Sequence, residues 1–295
     1  METGGSMKAT SGEVRESHVT EGFLEDVGAK YKQIYLKRRE QVKIDRVITV
    51  IEGAIGITAF VVMWYTLSHT IMTNVPDPIM AAKAAIPLIT DLRFYKGAAN
   101  SFYQVIVGFL VACAIGIPLG LIMGWRRTLY DVFGPIVEIL RPVPPVAWIP
   151  LAIIIFIKLE FSTPFIVFIG AFFPVVINSW LGAQSIDLSL YRAILCLGAS
   201  PRQVFRHVVF PGALPYILAG MQIGMGVAWV CVVAAEMMGG KFGLGYLTWE
   251  SYNLIRYPEI IICMASLGSM GYACSAAIRA LSNKYLAWKK VYTAR

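Results

Sequence analysis

SFYQVIVGFLVACAIGIPLGLIMGW, residues 101–125, decides the fold: it runs from Ser101 to Trp125 without a charged side chain. A helix needs about 20 predominantly apolar residues to cross a hydrocarbon core of about 30 Å. Comparable runs cover Val47 to Leu67, Val132 to just before Lys158, Pro164 to Leu181, Leu214 to Met238 and Glu259 to Leu281. The spacing predicts an all-α integral membrane protein of about six transmembrane helices, with the bilayer as its first partner.

Composition agrees. Of 295 residues 57% are hydrophobic and only 15% charged, too few to cover the surface of a soluble domain this long. The net charge of +8 does not point to nucleic acid, because the basic residues fall where membrane topology puts them. With the N-terminus inside, the tail, the Arg126–Arg127 turn, the 182–209 loop and the C-terminus hold 19 of the 26 Lys and Arg. That bias sets a multi-pass protein in the cell inner membrane with both termini cytoplasmic. The N-terminus is polar, so no cleavable signal peptide is expected. Cys113, Cys196, Cys231, Cys263 and Cys274 lie in no metal-ligand spacing and read as packing residues. His18, His69 and His207 are unpaired in spacing, so no catalytic metal is expected.

Three segments follow: a cytoplasmic tail at 1–46, a transmembrane domain at 47–284 with a cytoplasmic loop at 183–211, and a cytoplasmic tail at 285–295. In the first tail Phe23, Val27, Tyr31, Ile34 and Tyr35 form an apolar stripe beside Lys30, Lys32, Lys37, Arg38 and Arg39. It reads either as an amphipathic helix on the inner membrane surface or as a solvated tail. A loop carrying Pro76, Pro78 and Pro87 separates the first two spans, and a Gly-rich aromatic loop is expected to lead to the sixth.

Gly116, Gly120 and Gly124 repeat every four residues in the second span, and Gly220 and Gly224 in the fifth. Such ridges let helix backbones approach closely, within the chain or between chains. The third span carries four prolines within Arg141–Pro150. Proline removes a backbone donor and bends or breaks a helix, and broken helices commonly line transport pathways. The Pro run is placed at the cytoplasmic edge and Trp148 deeper. Pro145, Trp148, Glu236 and Met237 are the pathway candidates, Glu236 because an intramembrane carboxylate is costly unless paired or hydrated. An interfacial structural role is the other reading of Glu236. Glu138 precedes Arg141 by three residues, so one helical face can pair them.

The sharpest signal is the loop from Leu190 to Pro215. A short helix ends at Gly198, a natural C-terminal residue. Ser200 then caps a second helix with Pro201 at its first position and Gln203 completing a capping box. Pro211 is expected to stop it. Phe205, Arg202 and Arg206 are expected to project, giving a docking helix with apolar anchors and a basic rim.

This loop resembles the EAA signature of ABC-importer permeases, on Gly198, Pro211 and Pro215. Arg141–Leu151 is similar to the RPIPPLAWIPL stretch of the nitrate/sulfonate/taurine/bicarbonate branch, as are Gly170–Pro174, Ala234–Met237 and Gly243–Tyr246. The family's Glu-Ala-Ala is Tyr191-Arg192-Ala193 here. The resemblance spans roughly residues 95–285. It implies a type I ABC importer permease fold with a cytoplasmic coupling helix, and no enzyme activity in this chain. It implies a second permease copy, in a homodimer or with a relative, and a pathway for a small anion. Two ATP-binding cassette subunits carrying ATP and Mg would dock on Arg192, Ala193, Gly198, Ala199, Ser200, Pro201, Arg202, Phe205, Arg206, Pro211 and Pro215. An extracytoplasmic solute-binding protein would deliver the solute. In this chain Gly239-Gly240-Lys241 is followed by Phe242 and lacks the phosphate-cradling spacing. An ion-coupled secondary carrier is the rival reading, as is the same permease carrying an uncharged or aromatic solute.

Overall fold

The computed structural model describes residues 47–71, 75–156 and 159–286. The amphipathic stripe of the N-terminal tail and the basic end of the chain lie outside them. Helix α1, Val47–Thr70, belongs to a first unit that ends at Asn74. From Val75 a second unit follows: α2 (Pro78–Thr90), α3 (Leu92–Trp125), α4 (Arg127–Leu140), a 3-10 turn (Pro145–Trp148) and α5 (Ile149–Ile155). After these come α6 (Leu159–Gln184), α7 (Leu188–Cys196), α8 (Pro201–Val204), a π turn (Phe205–Val209), α9 (Phe210–Gly239), α10 (Leu244–Asn253) and α11 (Tyr257–Tyr285). Among the described residues five helices are long and apolar enough to span a bilayer, and the pair α4 and Pro145–Ile155, bent by 92° where they meet, makes a sixth when counted as one broken span.

Helix α6 is the spine, packed between α3 and α9. Glycines bring the backbones together on both sides. A Cβ at Gly120 would strike the Val176 carbonyl oxygen and lie 2.7 Å from Ser179 Cβ; one at Gly124 would be 2.7 Å from the Trp180 carbonyl oxygen. Gly116 faces Val175 on the same line. From α9, a Cβ at Gly220 would lie 2.9 Å from the Pro174 carbonyl oxygen and one at Gly224 3.1 Å from that of Ala171. All five glycines therefore serve packing inside this chain. Val105, Ala112, Val167, Ala171, Val175, Ala228 and Val232 fill the space between the three helices.

Three expectations are corrected. The proline-bearing loop before the second span is helix α2, because Asp77 caps it through the Met80 N–H at 2.6 Å and Pro78 takes the first position, where no donor is needed. Pro211 does not stop the short helix that Ser200 caps; that helix continues into the fifth span as one stretch from Pro201 to Gly239. The π turn widens the helix just before it, with the Phe210 N–H donating to the Phe205 carbonyl, and so clears the ring that would otherwise clash. The aromatic segment after Gly243 is α10, not loop.

The glycine contacts give a test with two signs. Gly120→Ala lowers the thermal midpoint of the detergent-solubilised chain by roughly 5 °C or more, through overpacking against a backbone carbonyl. Gly226→Ala, on the same bundle but with nothing within 4 Å of its Cβ position, leaves the midpoint unchanged within about 2 °C. Equal effects at the two positions would refute backbone contact as the packing device.

Candidate functional site

Three places carry polar or irregular structure that packing alone does not require. The first is the α7–α8 loop. Asp187 caps α7 by accepting from the Ser189 N–H at 2.8 Å, which also holds its carboxyl below the ordinary range. The Ala199 N–H donates to Ile194 O and the Gly198 N–H to Leu195 O. That is a Schellman stop, and its left-handed residue, Gly198 at φ 82°, needs glycine. The Gln203 N–H donates to Ser200 Oγ while Gln203 Oε1 accepts from the Ser200 N–H, a complete capping box. The chain direction at this tip is thus set by hydrogen bonds, without support from a neighbouring element around Gly198.

Arg192, Ala193, Arg202 and Arg206 are exposed around that tip, with Ser200 and Pro201 between them; Ala199, Pro211 and Pro215 are half-buried. Leu197, at 85% exposure, is an apolar residue standing free at the tip. It was missed because a leucine before a helix-ending glycine looks like an ordinary packing residue. Phe205 does not project as expected. Its ring lies 4.9 Å from that of Trp125 in a cluster with Val204, Val208, Leu121, Ala183 and Ile217. The π turn rotates it inward, onto the ends of α3 and α6.

The second place is the bend after α4. Arg141, Val143 and Pro145 line a cleft of about 340 Å³ with Gly170, Phe173, Pro174, Ile177 and Asn178 of α6 and Ile223 and Val227 of α9. These positions lie near mid-length of α6 and α9, and the Pro run is laid against the outer side of the bundle there, with Pro142 and Pro144 exposed. Helix α4, 14 residues long, runs about four turns before the prolines break it. Trp148 is half-buried against the main core, and its Nε1 has no hydrogen-bond partner among the described residues. The Glu138–Arg141 pair does not form. Glu138 instead accepts from the Tyr130 hydroxyl at 3.1 Å, held where the Tyr130 ring stacks on Trp180.

The third place is Glu236, fully buried at 0% exposure. The Ser101 hydroxyl lies 2.7 and 2.9 Å from its two oxygens and donates its proton there. Ser101 Oγ accepts from the Leu244 N–H at 2.9 Å, and Glu236 Oε2 from the Gly245 N–H at 2.8 Å. Gly243, at φ 137°, gives α10 no side-chain cap. Glu236 and Ser101 supply it from two other helices, satisfying the free N–H groups of a helix start. A Cβ at Gly243 would fall on the Glu236 carboxyl. Asn100 adds a bond from Nδ2 to the Phe242 carbonyl at 3.1 Å. Neither Glu236 nor its half-buried neighbour Met237 is among the residues lining the cleft at Arg141. The pathway candidates divide: Pro145 lines the cleft, Trp148 packs beside the core and Glu236 clamps α10.

A smaller cleft of about 210 Å³ beside α10 holds Arg93, Glu250, Arg256 and Glu259. Arg93 lies 3.9 Å from Glu250 and Arg256 3.8 Å from Glu259. Within this cleft each arginine thus faces a carboxylate.

The clamp makes a local prediction. Ser101→Ala or Glu236→Ala leaves donors at the start of α10 unpaired, and hydrogen exchange at the Leu244 and Gly245 amides accelerates about tenfold or more. Glu236→Gln, which keeps an acceptor oxygen, accelerates it less. Unchanged exchange in both alanine variants would remove the clamp.

Residues 116–287 match the family described as binding-protein-dependent transport system inner membrane component. A putative ABC transporter permease protein of Methanocaldococcus jannaschii is 44% identical over 192 residues, 65% of this chain and 72% of that one. A nitrate import permease protein of Synechocystis is 36% identical over 231 residues, 75% of this chain and 84% of that one. Among solved structures, the MetNI methionine ABC transporter in an inward-facing conformation superposes with a TM-score of 0.55 at 21% identity, over 69% of this chain and 98% of that one. The fold is that of the type I ABC importer permease, and this chain belongs to the family of inner-membrane components of binding-protein-dependent transport systems.

Proposed function

We propose that this chain is the membrane subunit of an ATP-driven importer for a small anion such as nitrate, a sulfonate or bicarbonate. Two copies form the pathway, two ATP-binding cassette subunits dock on the α7–α8 loops, and a solute-binding protein delivers the anion at the α10 end. Both termini then face the cytoplasm, with the docking loops. ATP and Mg are held by the partner subunits. The nitrate relative supports the substrate class, together with the resemblance to the nitrate, sulfonate and bicarbonate branch.

One observation carries the docking assignment. The α7–α8 tip is stopped and restarted by a full set of caps, yet it presents Leu197, Arg192, Arg202 and Arg206 outward. An apolar knob with a basic rim on a rigid turn suits a groove in a partner. The same unit is tied to the bundle through Val204, Val208 and Phe205. A push on the tip is therefore delivered to α3, α6 and α9 together, which is what converts closure of an ATPase pair into a tilt of the helices.

Deleting the loop would also remove these buried residues, so exposed-residue substitutions are the cleaner test. Leu197→Asp combined with Arg202→Glu reduces recovery of the ATPase subunit on the purified permease by about tenfold or more, with the thermal midpoint of the permease unchanged. Full recovery of the ATPase would overturn the docking assignment.

A further inference from the structure

An arginine at mid-depth of a membrane bundle is costly unless it is paired or hydrated. Arg141 is neither paired with Glu138 nor engaged in a hydrogen bond or ion pair with any other described residue. It is exposed at the head of the cleft at mid-length of α6 and α9. Around it the cleft is lined by Val143, Phe173, Ile177 and Ile223, with Asn178 the only other polar side chain. Asn178 spends one N–H on the Pro174 carbonyl at 2.8 Å and keeps its second N–H and its oxygen for other partners. The 92° bend at the prolines is a second, independent mark: irregular backbone at this depth is tolerated only against protein or a water-filled path. A lipid-facing wall satisfies neither condition.

We infer that Arg141 is the anion-coordinating residue of the translocation path, binding the transported oxyanion in the Arg141–Asn178 cleft. The inference rests on the importer reading above and deepens it. A guanidinium offers parallel N–H donors that match two oxygens of a planar or tetrahedral oxyanion. The apolar walls strengthen that attraction by lowering the local dielectric. They offer no carboxylate to compete with the anion. A volume of about 340 Å³ admits nitrate, bicarbonate or a small sulfonate with some of its water. Because the entry end has its Arg93 and Arg256 paired with carboxylates, charge selection falls to the cleft rather than to the mouth.

The test uses the complete transporter, permease with its ATPase and binding protein, reconstituted in liposomes. Uptake of nitrate, taurine and bicarbonate is measured against a neutral solute. For whichever anion the wild type carries, Arg141→Gln raises KM by about tenfold to a hundredfold, the loss of a charge-assisted pair, and Arg141→Lys recovers much of it. In parallel, phenylglyoxal modification of Arg141 in the wild-type complex, followed by peptide mass, slows severalfold when that anion is present. Wild-type KM in Arg141→Gln, or unprotected modification, overturns the inference while leaving the importer reading intact. If the glutamine variant fails to assemble, the protection experiment decides alone. Uptake of only a neutral solute by the wild type would sink the anion reading and this inference together.

Discussion

Contact between backbones along α6 is the constraint on which the rest of this structure depends. Lipid chains are as apolar as leucine, so spans gain little from meeting one another through large side chains. What remains is close van der Waals contact, and it requires surfaces with nothing in the way. Gly120 and Gly124 provide that surface on α3, and Gly220 and Gly224 on α9. With three helices held this tightly, the arms of the broken span cannot insert between them. One arm, α4, packs against α3 and the other, Pro145–Ile155, against α6 and α9, and a cleft is left where the bend meets the pair.

The same structure shows several answers to an interrupted helix. At the α7–α8 tip the chain bonds to itself, through a Schellman stop and a capping box. At α10 the missing cap is imported from Ser101 and Glu236 of distant helices. At Pro211 the helix widens rather than ends. After α4 an interruption coincides with a charge that has no partner among the described residues and stands at a cleft between helices. Satisfied interruptions are structural joints; the unsatisfied one is where a solute would complete the arrangement.

Much of this was legible in the sequence, for local reasons. The spans are long apolar runs, and the caps at Gly198, Ser200 and Gln203 are written within a few residues of one another. What depended on distant partners was not legible. The pathway and structural readings of Glu236 could not be separated, because Ser101 and Gly245 approach it only after folding. The depth of Arg141 could not be read from its own segment, since depth is measured against α6 and α9. Phe205 seemed to point out because a regular helix was assumed where a π turn stands. Leu197 gave no signal beyond its identity. Pro78 and Asp77, by contrast, carried a legible helix start that the abundance of prolines obscured.

The π turn at Phe205–Val209 holds one residue more than the α-helix it interrupts, and one residue corresponds to about 100° of rotation about the axis. It therefore sets the compass bearing of the α7–α8 tip relative to α9. A lineage that gained or lost a single residue here would keep its helix and its caps, yet aim Leu197 and Arg202 in a different direction. The length of this short stretch is thus under a different kind of selection from its composition: it encodes an angle.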